Sequence, residues 1–321
     1  MSGLIPHTIL NYTTLGGVPY KKLNISYQAF GKELNAAPVV IVNHALTGNS
    51  TVTDHPTAWW PNIVGEDKVI DTTKYTVIAI DVLGNGFNGD LIENHKDFTA
   101  RDIAQLFLDL IKSLEIKKVY AVIGGSIGGG IAWEMAILKP QLIEYLIPIA
   151  SDWKASDWII GHNYIQDSIL NNSKKPLQDA RKLAMLLYRT PESFKQKFNR
   201  SKTESNEQYK VESWLQYHGE ALEKRFQLLA YQMMNFLLTT VDITTGRGGL
   251  LDVVKPLKSK VIQIGVDSDL FFVAAENKDT KKVLDQANII NQYHEIKSIH
   301  GHDAFLIEHD QLTQILKPIF D

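Results

Sequence analysis

The sequence predicts an α/β fold: a mostly parallel central sheet, helices on both of its faces, and a helical segment inserted before the last strands. Three observations carry this expectation. Short, wholly apolar runs alternate with helix-like segments in the first half of the chain. A tight glycine cluster, Gly124 to Gly130, joins one such run to a helical pattern. After Ser151 the strand pattern disappears until about Thr245 and then returns.

Strands buried on both faces read as continuous apolar runs, and helices between them imply parallel pairing. Pro38 to Val42 is the first such run, ending at Asn43-His44. Tyr75 to Ile80 is the second, ending at Asp81-Val82-Leu83-Gly84. Val119 to Ile123 and Leu146 to Ala150 follow. Ala100 to Leu114 and Gly129 to Leu138 read as helices, the second stopped by Lys139-Pro140. Thr8 to Tyr27 reads as a separate antiparallel hairpin. From Asp152 to about Thr245 the chain is rich in Lys, Gln, Asn, Leu, Met and aromatics, with helices over Leu177 to Tyr188 and Glu220 to Leu238. Strand patterns resume at Val261 to Gly265 and Tyr293 to Ile296, before a final helix. The expected organisation is a core over residues 1–151, a helical cap over 152–250, and the rest of the core over 251–321. A site between core and cap is the natural consequence.

The chain has 321 residues and a formal net charge of −3. This near balance, with a pI near 6.4, carries no electrostatic footprint for nucleic acid. With no cysteine in the sequence there are no disulfides, thiolate metal sites or cysteine nucleophiles. That composition fits the cytoplasm. The opening Met-Ser-Gly-Leu-Ile-Pro-His lacks a basic segment followed by an apolar one, so no signal peptide is expected. Val119 to Leu138 is long and apolar, with Glu134 its only charge. Its glycine cluster makes it a buried strand–turn–helix rather than a membrane span.

The strongest chemical signal is Gly124-Gly125-Ser126-Ile127-Gly128-Gly129-Gly130. It stands between an apolar strand and a helix, the context of a G-x-S-x-G nucleophile elbow. Small residues two before and two after the serine let strand and helix approach closely. The next backbone N–H then faces a developing oxyanion, aided by the helix N-terminus. A dinucleotide-binding G-x-G-x-x-G fails, because its third position is Ser126 or Ile127, and no Gly-Lys-Ser/Thr is present for a phosphate loop.

An elbow serine needs an acid and then a histidine later in the chain. Asp267 and Asp269 both follow the strand at Val261, and Asp152 follows an earlier one. His300 and His302 both follow the last strand. Spacing alone leaves each choice open. His44, at the end of the first buried strand, is expected to be structural, with a neighbouring backbone N–H as the useful group. No metal-ligand spacing such as H-E-x-x-H occurs, so no metal is expected.

At these residues the chain resembles the homoserine O-acyltransferases, acetyl-transferring enzymes of methionine biosynthesis with the α/β-hydrolase fold. The resemblance runs through Asn43-His44-Ala45-Leu46-Thr47-Gly48, Trp59-Trp60, Val82-Leu83-Gly84, the elbow, Ala180-Arg181 and Tyr188-Arg189-Thr190. It continues through Val211-Glu212-Ser213-Trp214-Leu215, Gly246-Arg247-Gly248, Asp267-Ser268-Asp269-Leu270 and Gly301-His302-Asp303-Ala304-Phe305-Leu306. It implies Ser126 as nucleophile, Asp269 as orienting acid, His302 as base, and the N–H groups of Leu46 and Ile127 as oxyanion donors. It implies Arg181 for the carboxylate of an amino-acid acceptor and Asp303 for its ammonium, with Tyr231 near the same pocket; Tyr188, seven residues after Arg181, faces the same way on a helix and is expected at that pocket too. The implied donor is acetyl-CoA or another acyl-CoA, the acceptor L-homoserine, with no bound cofactor and a homodimer paired through cap helices. An esterase, a thioesterase, or a transferase using serine or succinyl-CoA would share the same triad. The chain departs from the family pattern at Ile127, at Val273 where a proline is usual, and at Gln227-Leu228-Leu229-Ala230, where polar residues are usual. These departures bear on the acceptor pocket and leave the triad intact.

Overall fold

The computed structural model describes residues 3–205 and 207–321. Met1 and Ser2, part of the stretch read for a signal peptide, and Asn206, within the inserted segment, lie outside them. An antiparallel hairpin, β1 (Ile5–Thr13) and β2 (Pro19–Gly31), leads into β3 (Val39–Asn43). Two short strands, β4 (Val64–Gly65) and β5 (Ile70–Asp71), pair only with each other. Then come β6 (Thr76–Ile80), α1 (Ala100–Ser113), β7 (Val119–Gly125), α2 (Ile127–Leu138) and β8 (Ile143–Ile149). Five helices follow: α3 (Asp157–Asn172), α4 (Pro176–Tyr188), α5 (Pro191–Phe198), α6 (Lys210–Glu223) and α7 (Leu228–Thr239). The chain closes with α8 (Leu250–Val254), β9 (Lys260–Val266), α9 (Ala274–Gln286), β10 (Asn291–Ile296) and α10 (His309–Phe320).

The main sheet has eight strands in the order β1-β2-β6-β3-β7-β8-β9-β10. It is parallel from β6 to β10, with β1 and β2 antiparallel at one edge. Alternate side chains of β3 and of β6 enter different cores. Val39, Ile41, Ile78 and Ile80 pack on one face with α1 and α2. Val40, Val42, Val77 and Ala79 pack on the other with Trp60, Leu312 and Phe320. This period of two explains why the runs are apolar throughout.

Two expectations change. The hairpin is not separate, because β2 pairs with β6 and extends the main sheet. Asp102 clasps it from α1, accepting from Tyr12 Oη at 2.8 Å and Leu15 N at 2.7 Å. The helix expected over Glu220 to Leu238 is broken. Gln227 is extended (φ −103°, ψ 152°), so α6 stops and α7 restarts. No glycine or proline marks the break. Phe226 is buried, its ring 6.2 Å from Tyr231, and Arg225 donates to Thr47 O at 2.8 Å. These tertiary contacts outweigh helix propensity.

Buried polar clusters lock the sheet to its surroundings. The Glu134 carboxylate on α2, 1% exposed, takes Arg101 Nε at 3.1 Å and Arg247 Nη1 at 2.7 Å. Both arginines also reach carbonyls of the segment after α7, at Asp242 and Ile243. Beyond β8, Asp152 accepts from Trp153 N, Gln263 Nε2, Asn277 Nδ2 and Thr280 Oγ1. No cation is among these donors, and burial pushes the Asp152 carboxyl up to about 6 against their opposing pull.

Glu134→Ala should destabilise the fold by about 3 kcal/mol in urea titration, because it leaves two arginines around an empty, buried centre. Asp152 gives a pH signature. Its folded pKa lies above the unfolded value of 3.8, so folding takes up a proton between the two. The stability of the wild type relative to Asp152→Asn should rise by about 1–2 kcal/mol as pH falls from 7 to 5. A flat difference across that window would contradict the raised carboxyl.

Candidate active site

Ser126 sits between β7 and α2 with φ 57° and ψ −129°, in the strained region expected of an elbow. Its N–H donates to Ile149 O at 2.9 Å, pinning the turn to β8. The flanking glycines are needed for close approach. A Cβ on Gly124 would stand 2.5 Å from the Gly128 carbonyl, and one on Gly128 would stand 2.6 Å from Asn43 O. Strand, helix and the loop after β3 thus meet without side chains between them.

The loop after β3 presents Leu46. Val82 N donates to His44 Nε2 at 3.0 Å, so the ring proton is on Nδ1, which faces Ala45 O at 2.8 Å. Gly48 N donates to the same carbonyl at 2.9 Å. In a trans peptide the N–H points opposite to the preceding carbonyl, so the Leu46 N–H is turned away from His44. Burial pushes the His44 imidazole pKa down, which keeps it neutral. Ile127 is the first residue of α2, where N–H groups lack intrahelical acceptors. Ser126 and Leu46 line one small cavity of about 70 Å³, with Ala45, Thr47, Arg181, Tyr188, His302, Asp303, Phe305 and Leu306.

The structure separates the two acids and the two histidines that spacing left open. Asp269 is buried and bonds His302 Nδ1 through Oδ2 at 2.8 Å. Its Oδ1 accepts from Phe271 N at 2.6 Å and Phe272 N at 3.1 Å, which fixes the carboxylate plane. Asp267 instead accepts from Ser298 N and lies 3.7 Å from Lys297 Nζ. Asp152 is occupied by its own donors. His300 Nδ1 meets Arg189 Nη2 at 3.1 Å and Ser193 Oγ at 3.0 Å, away from the serine. The His302 ring lies among Tyr188, Phe271, Phe272 and Phe305, with centroids 5.2–5.9 Å away. With Nδ1 held by Asp269, Nε2 is the nitrogen left for proton exchange. Ser126 and His302 line the same cavity, with no hydrogen bond between them among the described residues.

Arg181 and Tyr188 both extend from α4 to the cavity wall. Burial pushes the Tyr188 hydroxyl pKa up, which keeps it protonated. Asp303 is only partly covered, yet burial pushes its carboxyl up, opposed by Arg181, His302 and Arg189. Its ion-pair partner is Arg189, at 3.6 Å. No role was expected for Arg189; its place in the Tyr188-Arg189-Thr190 run was the available signal. Tyr231 does not reach the wall of either cavity described here. It is buried on α7, where burial pushes its hydroxyl up to about 12 and Arg181 opposes the shift. An outer cavity of about 640 Å³ shares Ala45, Thr47, Arg181 and Leu306 with the inner one. Arg225, Gln227, Asn49, Asn85 and Trp59 also line it. Among the described residues no cluster of three or more His, Asp or Glu is placed to hold a metal ion. No helix among them is long and apolar enough to cross a membrane.

A family model described as alpha/beta hydrolase fold matches residues 38–264. A homoserine O-acetyltransferase of Cyclobacterium marinum is 36% identical over 329 residues, covering 95% of this chain and 91% of that protein. One of Methanococcus vannielii is 33% identical over 94% of this chain and 69% of its own length. A crystal structure of homoserine O-acetyltransferase from Staphylococcus aureus superposes with a TM-score of 0.85 at 25% identity, covering 100% of this chain and 96% of that one. An acetylester hydrolase from Corynebacterium glutamicum gives 0.84 at 18% identity over 99% and 96%, a likeness of fold. With a serine on a strained elbow and a histidine held by a buried aspartate, the chain belongs to the homoserine O-acetyltransferase family of the α/β-hydrolase fold.

Proposed function

We propose that this protein transfers an acetyl group from acetyl-CoA to the side-chain hydroxyl of L-homoserine through an acyl-serine intermediate, a step of methionine biosynthesis in the cytoplasm. The observation that carries this reading is one cavity lined by Ser126, His302, Arg181 and Asp303 together. His302 Nε2 takes the Ser126 Oγ proton as Oγ attacks the thioester carbonyl. The oxyanion accepts from the Leu46 and Ile127 N–H groups, each worth about 3–4 kcal/mol in comparable oxyanion holes. The C–S bond breaks, and the CoA sulfur leaves with the proton from His302. His302 then takes the homoserine hydroxyl proton as that oxygen attacks the acyl carbon. Ser126 Oγ leaves and recovers its proton from His302. Asp269 holds the tautomer and stabilises the imidazolium.

The rest of the site suits this chemistry. The inner cavity opens into the outer one past Ala45, Thr47, Arg181 and Leu306, which gives donor and acceptor a common way to Ser126. Arg181 offers a guanidinium fork to the acceptor's carboxylate, and Asp303 offers a carboxylate to its ammonium. Holding both ends orients the hydroxyl against competing water. Tyr188 closes the wall beside His302. We read residues 152–250 as the cap that covers the site. We also propose a homodimer through α3 and α4, where Tyr164, Ile165 and Leu186 are exposed beside an apolar groove lined by Gly161, Leu183 and Leu187.

The experiment is free-thiol release from acetyl-CoA with and without L-homoserine; the sequence has no cysteine to contribute a background. Release should depend on homoserine and show ping-pong kinetics. Equal release without acceptor would make the protein a thioesterase. Ser126→Ala should lower kcat by at least about a thousandfold; retention of a tenth of the activity would remove the acyl-serine. Ile165→Asp should convert the dimer to monomer by sedimentation velocity, and a wild-type monomer would contradict the pairing.

A further inference from the structure

The outer cavity holds two guanidinium groups, those of Arg181 and Arg225, and no carboxylate in its lining. Asp303, in the inner cavity, forms its ion pair with Arg189 at 3.6 Å and also feels the Arg181 charge, which leaves Arg225 with no carboxylate contact among the described residues. Arg225 is placed by the break between α6 and α7, and its Nη1 donates to Thr47 O at 2.8 Å. Arg225 lines a cavity that shares Ala45, Thr47, Arg181 and Leu306 with the one holding Ser126. The surroundings are electropositive. Arg225 keeps solvent-exposed surface, yet its guanidinium pKa is pushed down by partial desolvation and then by Arg181. Nearby, His218 is pushed down to about 4 by burial and then by Arg181, Lys197 and Arg189. Two guanidiniums close enough to repel, with no carboxylate lining the space, form a site completed by an anion.

We propose that Arg225 is a second carboxylate-binding residue, which with Arg181 clamps the α-carboxylate of the amino-acid acceptor at the junction of the two cavities. This rests on the transferase reading above. Reach selects the acceptor over the CoA phosphates. Thr47 directly follows Leu46, so a guanidinium anchored on its carbonyl stands close to the reacting centre. The carboxylate of a hydroxy amino acid is a few bonds from its hydroxyl, whereas the CoA diphosphate lies at the far end of the pantetheine arm. Arg225 is thereby a specificity-determining residue: it selects acceptors that carry a carboxylate.

The test compares wild type, Arg225→Gln and Arg225→Lys with three substrates. With L-homoserine, Arg225→Gln should raise the acceptor KM by about tenfold or more, and Arg225→Lys should recover part of the loss. With L-homoserine amide, which has no carboxylate, wild type and Arg225→Gln should agree within about twofold. Hydrolysis of 4-nitrophenyl acetate, which needs only the triad and oxyanion donors, should also be unchanged. An equal loss with the amide, or a loss of 4-nitrophenyl acetate turnover, would make Arg225 only a prop for the Thr47 loop and overturn the clamp. A rise in the acetyl-CoA KM with an unchanged homoserine KM would move the anion to the donor and equally overturn it. A wild type whose thiol release ignores homoserine removes the transferase reading and the clamp with it. A wild type that responds, beside an Arg225→Gln that responds identically, removes the clamp alone.

Discussion

The close approach of β7, α2 and the loop after β3 is the constraint on which the site depends. It leaves no room for a Cβ at Gly124 or Gly128 and holds Ser126 at positive φ. Strain of this kind persists only where the surroundings over-determine it. Here the Ser126 N–H is committed to β8, and α2 is clamped by Arg101 and Arg247 through Glu134. The same closeness sets the loop that carries Leu46 beside the turn that joins Ser126 to Ile127. A looser packing would relax the turn and draw the loop after β3 away from it.

Hydrogen-bond direction does the rest of the aiming. His44 holds the Ala45 carbonyl and so turns the next N–H the opposite way. Asp269 has its Oδ1 on two backbone N–H groups and its Oδ2 on His302, so neither oxygen is free to rotate away. Around this polar line the walls are aromatic. Asp303 meets Arg189, while Arg181 and Arg225 line an outer cavity that has no carboxylate of its own.

The fold and the reactive centre were largely legible in the residues. Strands buried on both faces must be apolar throughout, so β3, β6, β7, β8 and β9 stand out as runs. The elbow is legible because its glycines answer a local steric demand. The choice of Asp269 over Asp267 was not legible from spacing, nor that of His302 over His300. Both members of each pair follow the same strand, and only the loop's path decides which one turns inward. Family resemblance supplied that choice, and the Asp269–His302 contact agrees with it.

By itself the sequence determined the layered parallel sheet, the helical insertion and the serine turn, because each is written in local periodicity or local sterics. Only the tertiary structure decided that the first hairpin joins the main sheet, that α6 and α7 are two helices, and that Tyr231 stays behind the cavity wall. It also decided that Asp303 pairs with Arg189 and that Arg225 stands over Thr47. The physical reason is common to all of these. Each depends on contacts between residues far apart in the chain, and such contacts override local propensity without leaving a local pattern.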